Sequence, residues 1–375
     1  MKQGYAIKQV KDICTKGSSQ VAQKDLEGVT GDYPIFGASG LIKNVNFYHQ
    51  EKEYIGLVKD GSGIGRTMFL PPKSSVIGTL QYILPKDGYN IRYIGYCLQS
   101  LRLDKYKQGA AIPHIYFKDY GEAKILVATN PDEQQRIVSL LDTEFAKIDT
   151  LKANAERNLQ NAKDLFQAAL KKELEPKEGW KKDYLSKVAY ISRGRSQHRP
   201  RNEASLYGGN YPFIQTGDIR DANGGIITTY NQTYSEIGLQ QSKLWKKGTI
   251  CITIAANIGE TAILGIDACF PDSVVGIIPN NQIVSTDFVN YCLIKEKDEL
   301  NEIAHGTAQK NINVAILEKV LICYPTETKI QQSIVARLDA LNGKCKTLQA
   351  NYEKTIALCE DLKQALLRKA FNGEI

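Results

Sequence analysis

The sequence is poor in the residue types that most often carry chemistry. It has four histidines, two methionines and two tryptophans in 375 residues. No histidine stands near a cysteine or another histidine, which argues against a zinc site. Eight cysteines are scattered at positions 14, 97, 251, 269, 292, 323, 345 and 359, with no C-x-x-C pair. They read as small core residues in a reducing compartment, not as a disulfide framework. No run of 18 apolar residues occurs, and the opening MKQGYAIKQVKD lacks the apolar centre of a signal peptide. A soluble, cytoplasmic protein without a membrane partner is expected.

Catalytic signatures are equally scarce. There is no G-x-x-x-x-G-K-[ST] phosphate loop and no Asn/Asp-Pro-Pro-aromatic motif of amino-group methylation. The glycine cluster Gly61–Gly65 (GSGIG) lacks a following helix pattern, and its later counterpart Asn257–Thr261 (NIGET) lacks two of the glycines. A turn between strands is the ordinary reading of both. No carboxylate pair with a downstream lysine marks a nuclease centre, and no Ser/His/Asp or Cys/His arrangement is legible. The chain reads as non-catalytic, with no cofactor or metal of its own.

What the chain does have is a duplication. Apolar or small residues alternate at steps of four and three through Ile334, Leu338, Leu341, Cys345, Leu348, Tyr352, Thr355, Cys359, Leu362 and Leu366. This heptad seam predicts a long helix with a helical partner, its function structural. The same spacing recurs 197 residues earlier, through Ile137, Leu141, Glu144, Ile148, Leu151, Ala155, Asn158, Ala162, Leu165 and Ala169. Gln134–Val138 (QQRIV) matches Gln331–Val335 (QQSIV), and Leu141-Asp142 matches Leu338-Asp339. Upstream the offset shrinks through small insertions, with Tyr96-Cys97-Leu98 matching Tyr291-Cys292-Leu293 and Tyr33-Pro34 matching Tyr211-Pro212. A period this long is a domain duplication.

Each half is a globular stretch followed by a helix. Short apolar runs broken by glycine and proline (YIGLVKD, MFLP, SVIGTLQYILP, AKILVA) predict strands in the first, and GTICITIAA, TAILGI and VVGIIP predict them in the second. Helical spacing covers Asn90–Tyr106, and its repeat follows Ser285 or Thr286 as N-cap. Pro131-Asp132-Glu133 opens the first long helix, which runs to about Leu174. The expected fold class is α+β: two similar mixed α/β domains and two long coiled-coil helices in a tandem duplication. The divisions are 1–130, 131–175, 180–325 and 326–375.

The net charge of +7 is compatible with a polyanionic partner without requiring one. Clustering sharpens it. Arg193, Arg195, Arg199 and Arg201 fall in nine residues, and Arg66–Lys73 and Lys243–Lys247 are further basic stretches. Two aligned segment pairs present polar side chains after apolar runs: Tyr33–Ile42 with Tyr211–Arg220, and Lys107–Ile115 with Ala304–Ile312. Amides, hydroxyls and guanidinium groups there can bond base edges in the major groove; as readily, both are surface turns joining strands. The candidate DNA contacts are Lys43, Arg66, Lys107, Gln108 and His114 in the first half. In the second they are Arg193, Arg195, Arg199, Gln215, Thr216, Arg220, Lys243, Thr307, Gln309, Lys310 and Asn311.

With the duplication and both seams in view, Ala123–Asp142 (AKILVATNPDEQQRIVSLLD), Val320–Asp339 (VLICYPTETKIQQSIVARLD) and the ending Leu366–Ile375 (LLRKAFNGEI) resemble the specificity subunit of type I restriction-modification enzymes, over the whole chain. One departure is the proline, at Pro131 three residues before Gln134 but at Pro325 six before Gln331. The resemblance implies two target-recognition domains related by an approximate twofold and held apart by antiparallel helices. It also implies double-stranded DNA as ligand, read as two half-sites with a fixed spacer. Partners would be modification (methyltransferase) subunits carrying S-adenosylmethionine and a translocating restriction subunit. Two other readings stay open: a coiled-coil scaffold without a DNA role, and a self-contained DNA methyltransferase or nuclease.

Overall fold

A computed structural model of the chain describes residues 4–109, 112–198, 200–255, 257–305 and 311–375. The chain divides into two compact units, one formed by Met1–Asn158 with Tyr352–Ile375 and the other by Leu159–Asn351. Both boundaries fall inside long helices, Pro131–Glu173 and Thr328–Phe371.

In the first unit, Cys14–Ser18, Leu80–Pro85, Tyr54–Val58 and Thr67–Leu70 form a four-stranded antiparallel sheet in that order. Gly40–Val45, Tyr33–Gly37 and Ser75–Val76 form a second sheet, and Tyr5–Gln9 pairs with Lys124–Ala128 in a third. The helix Ile91–Ser100 begins where Asn90 accepts hydrogen bonds from the amides of Arg92 and Tyr93, satisfying donors a helix start leaves open. Its inward face, with Tyr93, Ile94, Cys97 and Leu98, packs in one core with Ile137 and Leu141 of the first long helix and Leu367 and Phe371 of the second. Gly61–Gly65 is the expected turn: Gly61, Gly63 and Gly65 hold φ of 85°, 97° and 82°, a backbone region favouring glycine.

The second unit repeats this plan. Lys181–Tyr184 pairs with Leu321–Tyr324; Ala189–Arg193, Val274–Pro279, Ile250–Thr253, Thr261–Leu264 and Ile226–Ile227 make a five-stranded sheet. Gln232–Tyr234, Tyr207–Phe213, Ala268–Cys269 and Leu244–Trp245 make another. Ser285 caps the helix Thr286–Lys295 by accepting from the Phe288 amide. The core here gathers Leu170 and Leu174 of the first long helix with Ile334 and Leu338 of the second.

The matched motifs turn out to be joints. Gln134 is fully buried; its carboxamide accepts from the Asn90 amide (2.8 Å) and donates to the carbonyls of Ala128 (3.0 Å) and Gly88 (3.2 Å). Gln331 does the same, accepting from Ser285 (2.9 Å) and donating to Pro325 (2.8 Å) and Ile283 (3.0 Å). One side chain thus satisfies three backbone groups where strand, short helix and long helix meet. About two turns further along, Tyr96 donates to Asp142 and Tyr291 to Asp339; burial first, then Asp142, pushes the Tyr96 phenol up to about 12. Despite the displaced proline, both long helices begin at matching positions: the Gln134 amide bonds the Asn130 carbonyl, and the Gln331 amide bonds that of Glu327.

Within the first unit, Lys152 pairs with Glu360 and Lys363 with Asp149, which fixes the two helices there as antiparallel. In the second unit Arg337 pairs with Glu173 at 2.6 Å. The two long helices carry the seams as expected of coiled-coil helices, and the seams are buried only in part. Ile137, Leu141, Ile148, Ala155 and Ala162 are buried, as are Ile334, Leu338, Cys345 and Cys359. Leu151, Leu165, Leu348 and Leu362 stand 50%, 51%, 39% and 48% exposed. Each helix packs on a globular fold as well as on its partner, and four seam positions 14 or 197 residues apart are left exposed.

Candidate nucleic-acid interface

The basic segment of the second unit leaves the sheet at Arg193, the last residue of its strand. Arg193 donates to the Asp272 carbonyl, and Arg201 forks onto both Asp272 carboxylate oxygens at 2.9 Å. Arg195 donates to Gln197 at 2.7 Å, while the Gln241 carboxamide accepts from the Gln197 and His198 amides. The segment is therefore a shaped loop in which Arg193, Arg195 and Arg201 are exposed.

Beside it lies a cavity of about 450 Å³ that Arg201, Asn202, Gln215, Thr216 and Gln232 line with polar atoms. Phe213 stands in its wall, stacked on Tyr234 with ring centroids 4.1 Å apart. Gln215 donates its amide to the Gln232 carboxamide, so the two are held as a pair with hydrogen-bonding capacity left over. The segment after Gln215, expected as loop, is a short helix, Thr216–Ala222. The cause is Asp218: one carboxylate oxygen accepts from the Gln215 amide (2.8 Å) and the other from Asn231 (2.9 Å).

The structure brings Gln215 and Thr216 together with the arginine loop but leaves other candidates elsewhere. Arg220 bonds Asp221 and does not line the cavity. Lys243 has its ammonium 3.7 Å over the Trp245 ring and within reach of the Tyr190 hydroxyl, a cation–π placement that engages the charge. Asn311 is half-buried beside Ile312, whose amide bonds the Ile254 carbonyl. Arg199, Thr307, Gln309 and Lys310 lie outside the described residues.

In the first unit, Gln108 and His114 exchange backbone hydrogen bonds of 2.8 Å. The His114 ring meets Asp60 at 2.7 Å, and the Gln108 carboxamide donates to Asp119. Lys107, exposed, immediately precedes. Arg66 donates to the Ala38 carbonyl at 2.7 Å, tying the glycine turn to the polar end of Tyr33–Gly37, and the Gly61 amide bonds the Pro113 carbonyl. These four candidates thus share one end of the fold. Lys43, on the strand Gly40–Val45, donates to the carbonyl of Leu26, the last residue of the short helix Gln23–Leu26.

Asn202, Gln232 and the two aspartates that shape the site were not singled out from sequence, and Arg201 was named in the arginine cluster but not among the candidate contacts. Asp218, three residues after Gln215, carries a helix-start signal; Gln232 is placed only by pairing of its strand with Tyr207–Phe213. Burial pushes the thiols of Cys14 and Cys269 up to about 12 and about 11, which suits core residues. Among the described residues no cluster of His, Cys, Asp or Glu could hold a metal ion, and no helix is long and apolar enough to cross a membrane.

A model of the family described as type I restriction modification DNA specificity domain matches residues 2–160 and 177–357. Among curated proteins, the chain is 26% identical over 204 residues to the type I restriction enzyme HindI specificity subunit of Haemophilus influenzae, spanning 52% of this chain and 42% of that protein. It is 24% identical over 323 residues to the EcoBI specificity subunit of Escherichia coli, spanning 77% and 67%. Among solved structures, a chain from work on complex assembly and conformational transition of the type I R-M system superposes with a TM-score of 0.78 at 17% identity, over 100% of this chain and 99% of that one. The HsdS subunit of Thermoanaerobacter tengcongensis gives 0.54 at 17% identity, over 100% and 98%. At that identity the structural likenesses show the fold.

Proposed function

Since the chain belongs to the type I restriction modification DNA specificity family, we propose that it is the address-bearing subunit of such a system, acting in the cytoplasm. It binds double-stranded DNA at two half-sites separated by an unread spacer, one half-site to each recognition domain. The observation that carries the reading is the match of the family model to both halves of a duplicated chain. The joined cavity and arginine loop of the second unit supply the right chemistry: amides for base edges and guanidinium groups for phosphates. Catalysis belongs to partners: modification subunits carrying S-adenosylmethionine, and a restriction subunit that translocates DNA. The exposed leucines of the long helices, Leu151 and Leu362 in one unit and Leu165 and Leu348 in the other, give each unit apolar surface on which a modification subunit docks.

Co-expression with a candidate modification subunit, followed by sequencing of methylated bases in host DNA, tests this directly. The expected result is a bipartite motif with a fixed gap, appearing only when both chains are present. A stable complex that methylates nothing, or no complex at all, would sink the proposal.

A finer expectation concerns Gln215–Arg220. Replacing Gln215 and Thr216 with alanine should relax or change bases in one half-site only, each good side-chain pair being worth about 1–3 kcal/mol of discrimination. Loss of both half-sites together would mean the segment supports the fold.

A further inference from the structure

A second cavity of the second unit, about 320 Å³, lies between its recognition fold and its stretches of the two long helices. Lys163 of the first helix, Lys346 of the second, Thr261 and Asn342 line it. The Lys346 ammonium donates to the Asn223 carbonyl at 3.0 Å, and no carboxylate of a described residue pairs with it or with Lys163. Lys297 also lines the cavity but is neutralised by Glu260 at 2.7 Å. Thr261, 2% exposed, has a hydroxyl without any hydrogen-bond partner.

The duplication supplies a comparison for each of these groups. At the 197-residue offset, Lys163 corresponds to Glu360 and Lys346 to Asp149, while Phe166 and Gln349 correspond to Lys363 and Lys152. In the first unit those four charges form two ion pairs, Lys152 with Glu360 and Lys363 with Asp149. In the second unit both acids have become lysines and both lysines have become neutral. Likewise Thr67, which corresponds to Thr261, accepts from Gln99 at 2.9 Å, and the position matching Gln99 is Ile294. Where one copy has two ion pairs and a bonded hydroxyl, the other has two lysines without a paired carboxylate and an unbonded hydroxyl, around one cavity. Lys163 is exposed and Lys346 half-buried; leaving the half-buried charge of Lys346 without an ion-pair partner is costly, and burial does lower its pKa.

We propose that this cavity binds a phosphate group, held between the Lys163 and Lys346 ammonium groups with the Thr261 hydroxyl as a third donor. Phosphate oxygens accept strong charge-assisted hydrogen bonds, and lysine serves them as a point charge. The Asn342 and Gln349 carboxamides at the wall add donors of either orientation. Two sources share this chemistry: a free phosphate or small phosphate ester, and a backbone phosphate of bound DNA. The proposal is independent of the specificity reading, because its first arm contains no DNA.

The full chain, in complex with its modification subunits if they are needed to purify it, is titrated with inorganic phosphate at constant ionic strength while its melting temperature is followed. A saturable rise that Lys346→Met and Lys163→Met each weaken by roughly tenfold or more, as loss of a charge-assisted contact implies, supports the site with a free ligand. Without phosphate, Lys346→Met should melt no lower than the parent, which separates a ligand-binding lysine from a structural one. If phosphate has no effect, duplex binding is measured against salt. A slope reduced by about one in Lys346→Met assigns the DNA backbone as the source. Parent and both variants behaving alike in both arms overturns the proposal, as does destabilisation of unliganded Lys346→Met.

Discussion

Replacing Gln331 with leucine is expected to lower the melting temperature of the second unit by about 6–12 °C and to leave the first unit's transition in place. The substitution keeps the volume and removes three hydrogen bonds, to the Ser285 amide and the Pro325 and Ile283 carbonyls. Gln331 is 1% exposed, so water does not replace what is lost. Each buried group left unsatisfied costs about 1–3 kcal/mol. A total near 3 kcal/mol corresponds to that shift for a unit of this size, at about 2–4 °C per kcal/mol. Gln134→Leu should act in the same way on the first unit. The exposed neighbour Gln332 is the internal control, and Gln332→Leu should change little. Calorimetry resolves the two transitions; equal shifts for Gln331→Leu and Gln332→Leu would remove the joint from the account.

Inserting one heptad into both long helices, between Asn158 and Leu159 and between Asn351 and Tyr352, should lengthen the DNA spacer by about three base pairs. Seven residues add about 10.5 Å of helix and turn it by only about −20°, so the packed faces keep their direction. At about 3.4 Å per base pair the added length is close to three steps. The points lie at the division between the units, so Lys152–Glu360 and Lys363–Asp149 stay in register within one, and Arg337–Glu173 within the other. Methylation of the parental target should fall at least roughly a hundredfold, while the new motif keeps both half-sites. Sequencing of methylated bases reads this out, and an unchanged spacer would end the idea that helix length measures the gap.

Much of this was legible because the chain states its plan twice. The offset of 197 residues, the strand runs broken by glycine, and the caps at Asn90 and Ser285 are local or periodic signals, and the structure contains them. Less legible were features decided by three-dimensional surroundings. Gln134 and Gln135 are adjacent and identical in type, yet one is fully buried and the other exposed. A heptad pattern does not say which seam residues meet a partner, so Leu151 and Leu348 read no differently from Leu141 and Leu338. Nothing in the local sequence shows that the Lys243 charge rests on the Trp245 ring. The reading of Gln215–Arg220 as loop failed because one carboxylate, Asp218, was enough to start a helix.

The first unit is assembled from both ends of the described chain, since Leu367 and Phe371 complete the core that Tyr93 and Ile137 begin. A ribosome therefore makes most of the first domain early and delivers its remaining wedge only after the whole second unit. At roughly 5–20 residues per second, the interval between Asn158 and Phe371 is about 10–40 s. Through that time Tyr93, whose ring lies 5.2 Å from that of Phe371 in the finished protein, lacks its cover. The second unit, a single uninterrupted stretch, has every piece before then, so synthesis order and order of completion are reversed.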